Sequence, residues 1–165
     1  MESINLILLG ICSIVLISGH ISPAYANDPL ADIFVREHNK YRAIDGVPPV
    51  TWDEKVAQYA RNYANSKKET CEMVHSTNSP YGECLAWSGG DMSPELVVKL
   101  WVDEKKDYDY NTNTCAPGKV CMHYTQVVWS KTTKIGCAKV RCNNNETFIN
   151  CNYDPSGNWV DEKPY

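Results

Sequence analysis

The sequence predicts an α+β fold, and three observations carry the prediction. Helix-patterned segments fill the first half of the chain, two strand-patterned runs joined by an Asn-rich turn follow, and cysteines are spread through both halves. No internal repeat, low-complexity tract or long linker interrupts the pattern, so residues 27–165 read as one domain.

Residues 1–26, "MESINLILLGICSIVLISGHISPAYA", read as a secretory signal peptide. The apolar run from Ile4 to Ile17 has the length of a signal core and is short for a membrane span. Ala24-Tyr25-Ala26 supplies the small-x-small cleavage pattern, although no basic residue precedes the apolar run. The expected compartment is therefore extracellular.

Asp28-Pro29 signals the first helix, with Asp as N-cap and Pro in the first turn. That helix runs through "LADIFVREHNKYRA" and stops near Gly46, with Pro48-Pro49 beyond. Thr51-Trp52-Asp53-Glu54 has capping-box spacing and opens a second helix through Ser66, with Val56, Ala60, Tyr63 and Ala64 on one face. Ser93-Pro94 opens a third, in which Val97, Leu100 and Trp101 mark the buried stripe. Glu104 continues that stripe at i+7, so it sits at the core edge, faces a polar cavity or frays into solvent. Buried unpaired it would be costly, so a partner is expected. "KIGCAKVRC" and "TFINCNY" then read as an antiparallel hairpin, whose Cys137, Cys142 and Cys151 would staple the sheet to its neighbours.

Of the eight cysteines, Cys12 lies in the leader. The remaining seven read, in an oxidising compartment, as three bridges and one leftover thiol that the sequence does not identify. The formal net charge is −4, and removing Glu2 with the leader leaves −3. That balance, without a polybasic stretch, argues against nucleic acid as a partner and against attraction to anionic lipid. Asn145-Glu146-Thr147 is a glycosylation sequon in a polar turn.

Several segments together resemble a known family. "HYTQVVW" and "FINCNYDPSGNW" are similar to the two signatures of the CAP superfamily, which includes cysteine-rich secretory proteins, antigen 5 and plant pathogenesis-related proteins of class 1. "PSGNWVDEKPY", "CNY" and "KVRCNNN" bring the chain nearest to the plant class 1 proteins. "REHNKYRA", "WDEKVAQYARNYA" and "LWVDEKKDYDY" extend the resemblance over the mature chain.

This resemblance implies a three-layer α–β–α sandwich with a central antiparallel sheet, stapled by Cys71–Cys142, Cys115–Cys121 and Cys137–Cys151. Cys84, where the family usually has Asn, is then the free thiol. Met122 also departs from the family, which more often has a polar residue there. The resemblance further implies a central cavity with two histidines and two acids, here His75, Glu83, Glu104 and His123. These could hold a divalent cation such as zinc, or satisfy one another with no cofactor required. A metal-dependent hydrolase built on those four is the alternative to a non-enzymatic binder.

Cys84 as a nucleophile is disfavoured, because adjacent Glu83 opposes thiolate formation. Tyr108 and Tyr110 enter the loop that the family associates with sterol binding, and either line an apolar slot or pack beside the third helix. The implied role is antimicrobial defence in the apoplast, by a monomer that withdraws sterol or another lipid from a pathogen membrane. Class 1 proteins are also regarded as precursors of a signalling peptide, which here would be Pro155–Tyr165, released between Asp154 and Pro155.

Overall fold

The computed structural model describes residues 29–165, so the signal peptide, Cys12 and the Asp28 cap lie outside the described residues. Helix α1 (Pro29–Ile44) ends at a turn whose Gly46 adopts φ 70°, a left-handed conformation that glycine takes without strain. Its i, i+4, i+8 stripe of Phe34, His38 and Arg42 is fully buried, two of the three being polar.

Strand β1 (Thr51–Trp52) precedes helix α2 (Glu54–Ser66). The capping box expected at Thr51 is displaced by two residues. Asp53 is the N-cap, its Oδ1 accepting from Lys55 N (3.0 Å) and Val56 N (3.1 Å), while Thr51 and Trp52 pair with Lys134 and Ile135. Sheet pairing of the preceding backbone fixes where the helix can begin.

Helix α3 (Pro94–Asp103) opens on Ser93, whose side chain accepts from Leu96 N, with Pro94 in the first turn. Val97 and Trp101 are buried as expected, but Leu100 is 47% exposed. The buried stripe instead takes Val98 and Val102, because α3 packs against α1 rather than directly on the sheet.

Four strands form the sheet in the order β1-β5-β6-β2. β5 (Lys134–Arg141) and β6 (Thr147–Asp154) make the expected antiparallel hairpin, β6 also pairs antiparallel with β2 (Gly82–Ser88), and β1 joins β5 in parallel. The sheet is thus antiparallel except at one edge. Helix α2 covers one face; α1, α3 and the short α4 (Met122–Val127) lie on the other, giving the α–β–α layering. Gly136 is required where α2 crosses β5, since a Cβ there would stand 2.1 Å from Ala57 N.

Three disulfides close the fold: Cys71–Cys142, Cys115–Cys121 and Cys137–Cys151. Cys137 and Cys151 face each other in register, so this bridge ties β5 to β6 within the sheet rather than to a neighbour. Cys71–Cys142 does tie the sheet's end to the segment after α2. A two-stranded ribbon, β3 (Tyr108–Asp109) with β4 (Thr114–Cys115), leads into the Cys115–Cys121 loop.

Candidate functional site

Glu83 lies on β2 and reaches the segment that follows α2. Its carboxylate accepts from His75 Nδ1 (2.8 Å), from Ser76 N (2.9 Å) and from the Ser76 hydroxyl (2.8 Å). The Glu83 side chain is 5% exposed and that of His75 is 64% exposed, so a buried anion holds an open imidazole at the surface.

Glu104 caps α3 at the start of a 3-10 turn (Glu104–Asp107) and reaches the start of α4. Oε1 accepts from His123 Nδ1 (2.7 Å), and Oε2 accepts from His123 N (3.0 Å) and Tyr124 N (3.4 Å). The partner expected for Glu104 is thus a histidine together with two otherwise orphaned amides of a helix start. The His123 ring stacks on Trp101, with centroids 6.1 Å apart and planes 15° apart.

An ionised carboxylate only accepts, so Nδ1 carries the proton in both imidazoles and each Nε2 is left for something else. The four residues therefore stand as two His–Glu pairs, one pinned to the α2 layer and one to the α3–α4 layer. Among the described residues no group of three or more His, Cys, Asp and Glu side chains is placed to hold a metal ion. The two pairs are not gathered into one zinc ligand set.

Cys84 is buried beneath this region and is the free cysteine of the described residues. On β2 it stands beside Cys151 in register, but Cys151 is bonded to Cys137 on its other side. His38 Nδ1 donates to the Phe34 carbonyl (2.7 Å), which leaves Nε2 to accept from the Tyr153 hydroxyl (2.9 Å). The Cys84 thiol interacts with the same hydroxyl. Burial drives all three toward their neutral forms: His38 falls to about 4, while Cys84 and Tyr153 rise well above their usual ranges. A thiol held protonated in this way is no nucleophile at neutral pH.

The sequence reading missed His38, Arg42 and Tyr153. Arg42 is fully buried, and its guanidinium donates to the carbonyls of Val127 and Trp129 (both 2.9 Å) and Thr132 (3.0 Å), fixing the chain after α4. Burial lowers it to about 10. The available signal was the shared helical stripe with Phe34, which puts two polar residues at core positions.

A third feature is a groove of about 310 Å³ between the Cys115–Cys121 loop and the C-terminal tail. Tyr108, both half-cystines, Met122, Trp129 and Trp159 contribute to its walls. Met122 is 57% exposed, Trp159 60% and Val160 87%. Among the described residues the buried Trp129 indole N–H has no hydrogen-bond partner. The two loop tyrosines separate: Tyr108 lines the groove and bonds Asn113 (2.6 Å), whereas Tyr110 stacks on Tyr165 (5.0 Å, 16°). The tail is docked rather than free, with Pro164 buried and Ser130 N donating to the Pro164 carbonyl (2.7 Å). Asn145 is exposed at φ 69° in the β5–β6 turn, a position open to a glycan.

Comparisons with known proteins bear on the family and the fold. The family profile described as CAP, cysteine-rich secretory protein family, matches residues 35–153. A pathogenesis-related protein 1 of Arabidopsis thaliana is 51% identical over 152 residues, 92% of each chain. Pathogenesis-related protein 1A1 of Solanum lycopersicum is 56% identical over 128 residues, 78% of this chain and 73% of that one. Among solved structures, venom allergen-like protein 4 of Schistosoma mansoni superposes with a TM-score of 0.64 at 26% identity, covering 82% of this chain and 93% of that one. The crystal structure of Na-ASP-1 reaches 0.70 at 24% identity, covering 84% of this chain and 41% of that one, a likeness of fold.

Proposed function

Because this chain belongs to the CAP, cysteine-rich secretory protein family, we propose that it is a secreted plant defence protein that binds sterols or related lipids rather than catalysing a reaction. Plant defence is the role its relatives' names carry, and the three disulfides fit an extracellular protein.

One observation supports the lipid reading: the groove beside the Cys115–Cys121 loop is rimmed by the uncovered apolar side chains of Met122, Trp159 and Val160. A flat lipid matches that surface, its hydrocarbon covering Met122 and Trp159. Fully covering a side chain of Met122's size contributes roughly 1.5–3 kcal/mol. Withdrawal of such a lipid from a pathogen membrane would make the protein antimicrobial. The partner is the lipid or that membrane, and the protein acts as a monomer.

The test is a sterol titration of the mature protein with Met122→Glu alongside. Binding that is lost in the variant supports the groove. Absence of sterol and fatty-acid binding in the wild type, together with zinc-dependent turnover of an ester or peptide, would favour the hydrolase alternative. We further take Pro155–Tyr165 as a peptide that a protease frees by cutting after Asp154. Mass spectrometry of infected tissue should show a fragment starting at Pro155, and its persistent absence would remove this role.

A further inference from the structure

We propose that cleavage at Asp154–Pro155 does not by itself free the C-terminal peptide, because the body of the protein carries a built binding surface for residues 155–165. The proposal rests on the precursor role of the tail and concerns the fate of the peptide once the bond is cut. Hydrolysis adds water across one bond, the hydroxyl going to the Asp154 carbonyl carbon and a hydrogen to the Pro155 nitrogen. It leaves a carboxylate on one side and a secondary ammonium on the other, and an external endoprotease is the catalyst.

The contacts that seat the peptide lie elsewhere. At its root, the Thr132 hydroxyl donates to the Pro155 carbonyl (2.8 Å) and Gly157 N donates to Gln126 Oε1 (3.0 Å). Gly157 presses on the Trp129 ring so closely that a Cβ would stand 2.6 Å from it. In the middle, the Thr125 hydroxyl donates to Asn158 Oδ1 (2.6 Å), and Asn158 Nδ2 donates to the Met122 carbonyl (2.9 Å).

The far end is the anchor. The Tyr165 ring lies on Tyr110, whose hydroxyl bonds the Tyr165 carbonyl oxygen. The Tyr165 hydroxyl meets that of Tyr124 (2.8 Å), which in turn donates to Asp45 (3.1 Å). Tyr165 also packs against the main hydrophobic core.

All of these partners belong to residues 45–132, and the Thr133 N contact to the scissile carbonyl (3.0 Å) stays with the body after the cut. Cutting the bond gives the peptide translational and rotational freedom but removes none of its contacts. A partly buried aromatic anchor with several hydrogen bonds along the segment is the pattern that holds peptides in pockets. Cutting and release are therefore two steps, and the second is governed by the Tyr165 slot.

The experiment inserts a Gly/Ser-flanked recognition sequence for a site-specific protease between Asp154 and Pro155 of the mature chain. The cut protein is passed over a size-exclusion column at micromolar concentration. The peptide should elute with the body, and the cut Tyr165→Ala version should shed it at least about tenfold more readily. A wild-type peptide that elutes alone would overturn the proposal.

If the inserted chain does not fold, amide exchange on the unmodified protein decides instead. The Gly157 and Ser130 amides should be protected in the wild type and more labile in Tyr165→Ala, whereas open-chain rates in the wild type would overturn the proposal. Whether tissue cuts Asp154–Pro155 at all is read separately by mass spectrometry, so failure of the precursor role leaves the retention result standing.

Discussion

In the two His–Glu pairs every carboxylate oxygen already accepts a hydrogen bond, whereas in the groove beside the tail Met122, Trp159 and Val160 stand uncovered and, among the described residues, the Trp129 N–H has no partner. The pairs connect elements: Glu83 ties β2 to the segment after α2, and Glu104 ties α3 to α4. The polar groups of the groove tie α4 and the loop to the tail, but its apolar rim stands uncovered. Polar groups whose partners are supplied by the chain hold architecture, while uncovered apolar surface is free to recognise something else.

Acid should perturb the polar side of this comparison most. Trp101, the shelf under His123, also meets His38 edge-on at 6.4 Å, and burial holds His38 at about 4 against its usual 6.5. Between those values the unfolded chain binds a proton that the native chain does not. Stability is therefore full above about pH 6.5 and falls as the pH drops toward 4, by on the order of 3 kcal/mol. Denaturant melts across that range measure it, and His38→Gln should flatten the slope. An unchanged slope would show that His38 is not the group responsible.

Glu104→Ala should come next, at about 1–3 kcal/mol, because it strips the imidazole and two backbone amides of their acceptor. The groove should keep its ligand at temperatures where this variant is folded. A matching loss of binding in the folded variant would move the functional centre to the pairs. Thiol titration should find no reactive cysteine in the native mature protein and one, Cys84, after unfolding. A native thiol that reacts at once would break the buried Cys84–Tyr153–His38 network. The smallest effect should be that of His75→Ala, within about 0.5 kcal/mol in thermal melts, since the imidazole is mostly solvated.

Local pattern made the helix starts at Pro29 and Pro94, the hairpin around Asn145 and the inward turn of Glu104 legible from sequence. Other features were not. Strand β2 hides in "GECLAWS", where Glu83 and Ser88 break alternation because Glu83 serves a neighbouring segment. Helix α4 is one short turn-rich stretch whose amides are capped by a residue nineteen positions upstream, so no local cap announces it. Leu100 follows the helical period, yet packing of α3 on α1 rotates the buried stripe away from it. Resemblance named the four polar residues, but their division into two pairs depends on the layers to which Ser76 and Tyr124 belong. The groove was half legible: the Cys115–Cys121 loop was visible, while the tail that forms its other wall lies more than thirty residues downstream.

The most direct measurement is an equilibrium titration of the mature protein with a sterol, run on wild type, Met122→Glu and Glu104→Gln under one condition where all three are folded. Wild type and Glu104→Gln should bind saturably, with a loss of at least about tenfold in Met122→Glu. Binding that survives Met122→Glu and fails in Glu104→Gln would contradict this and place recognition at the His–Glu pairs.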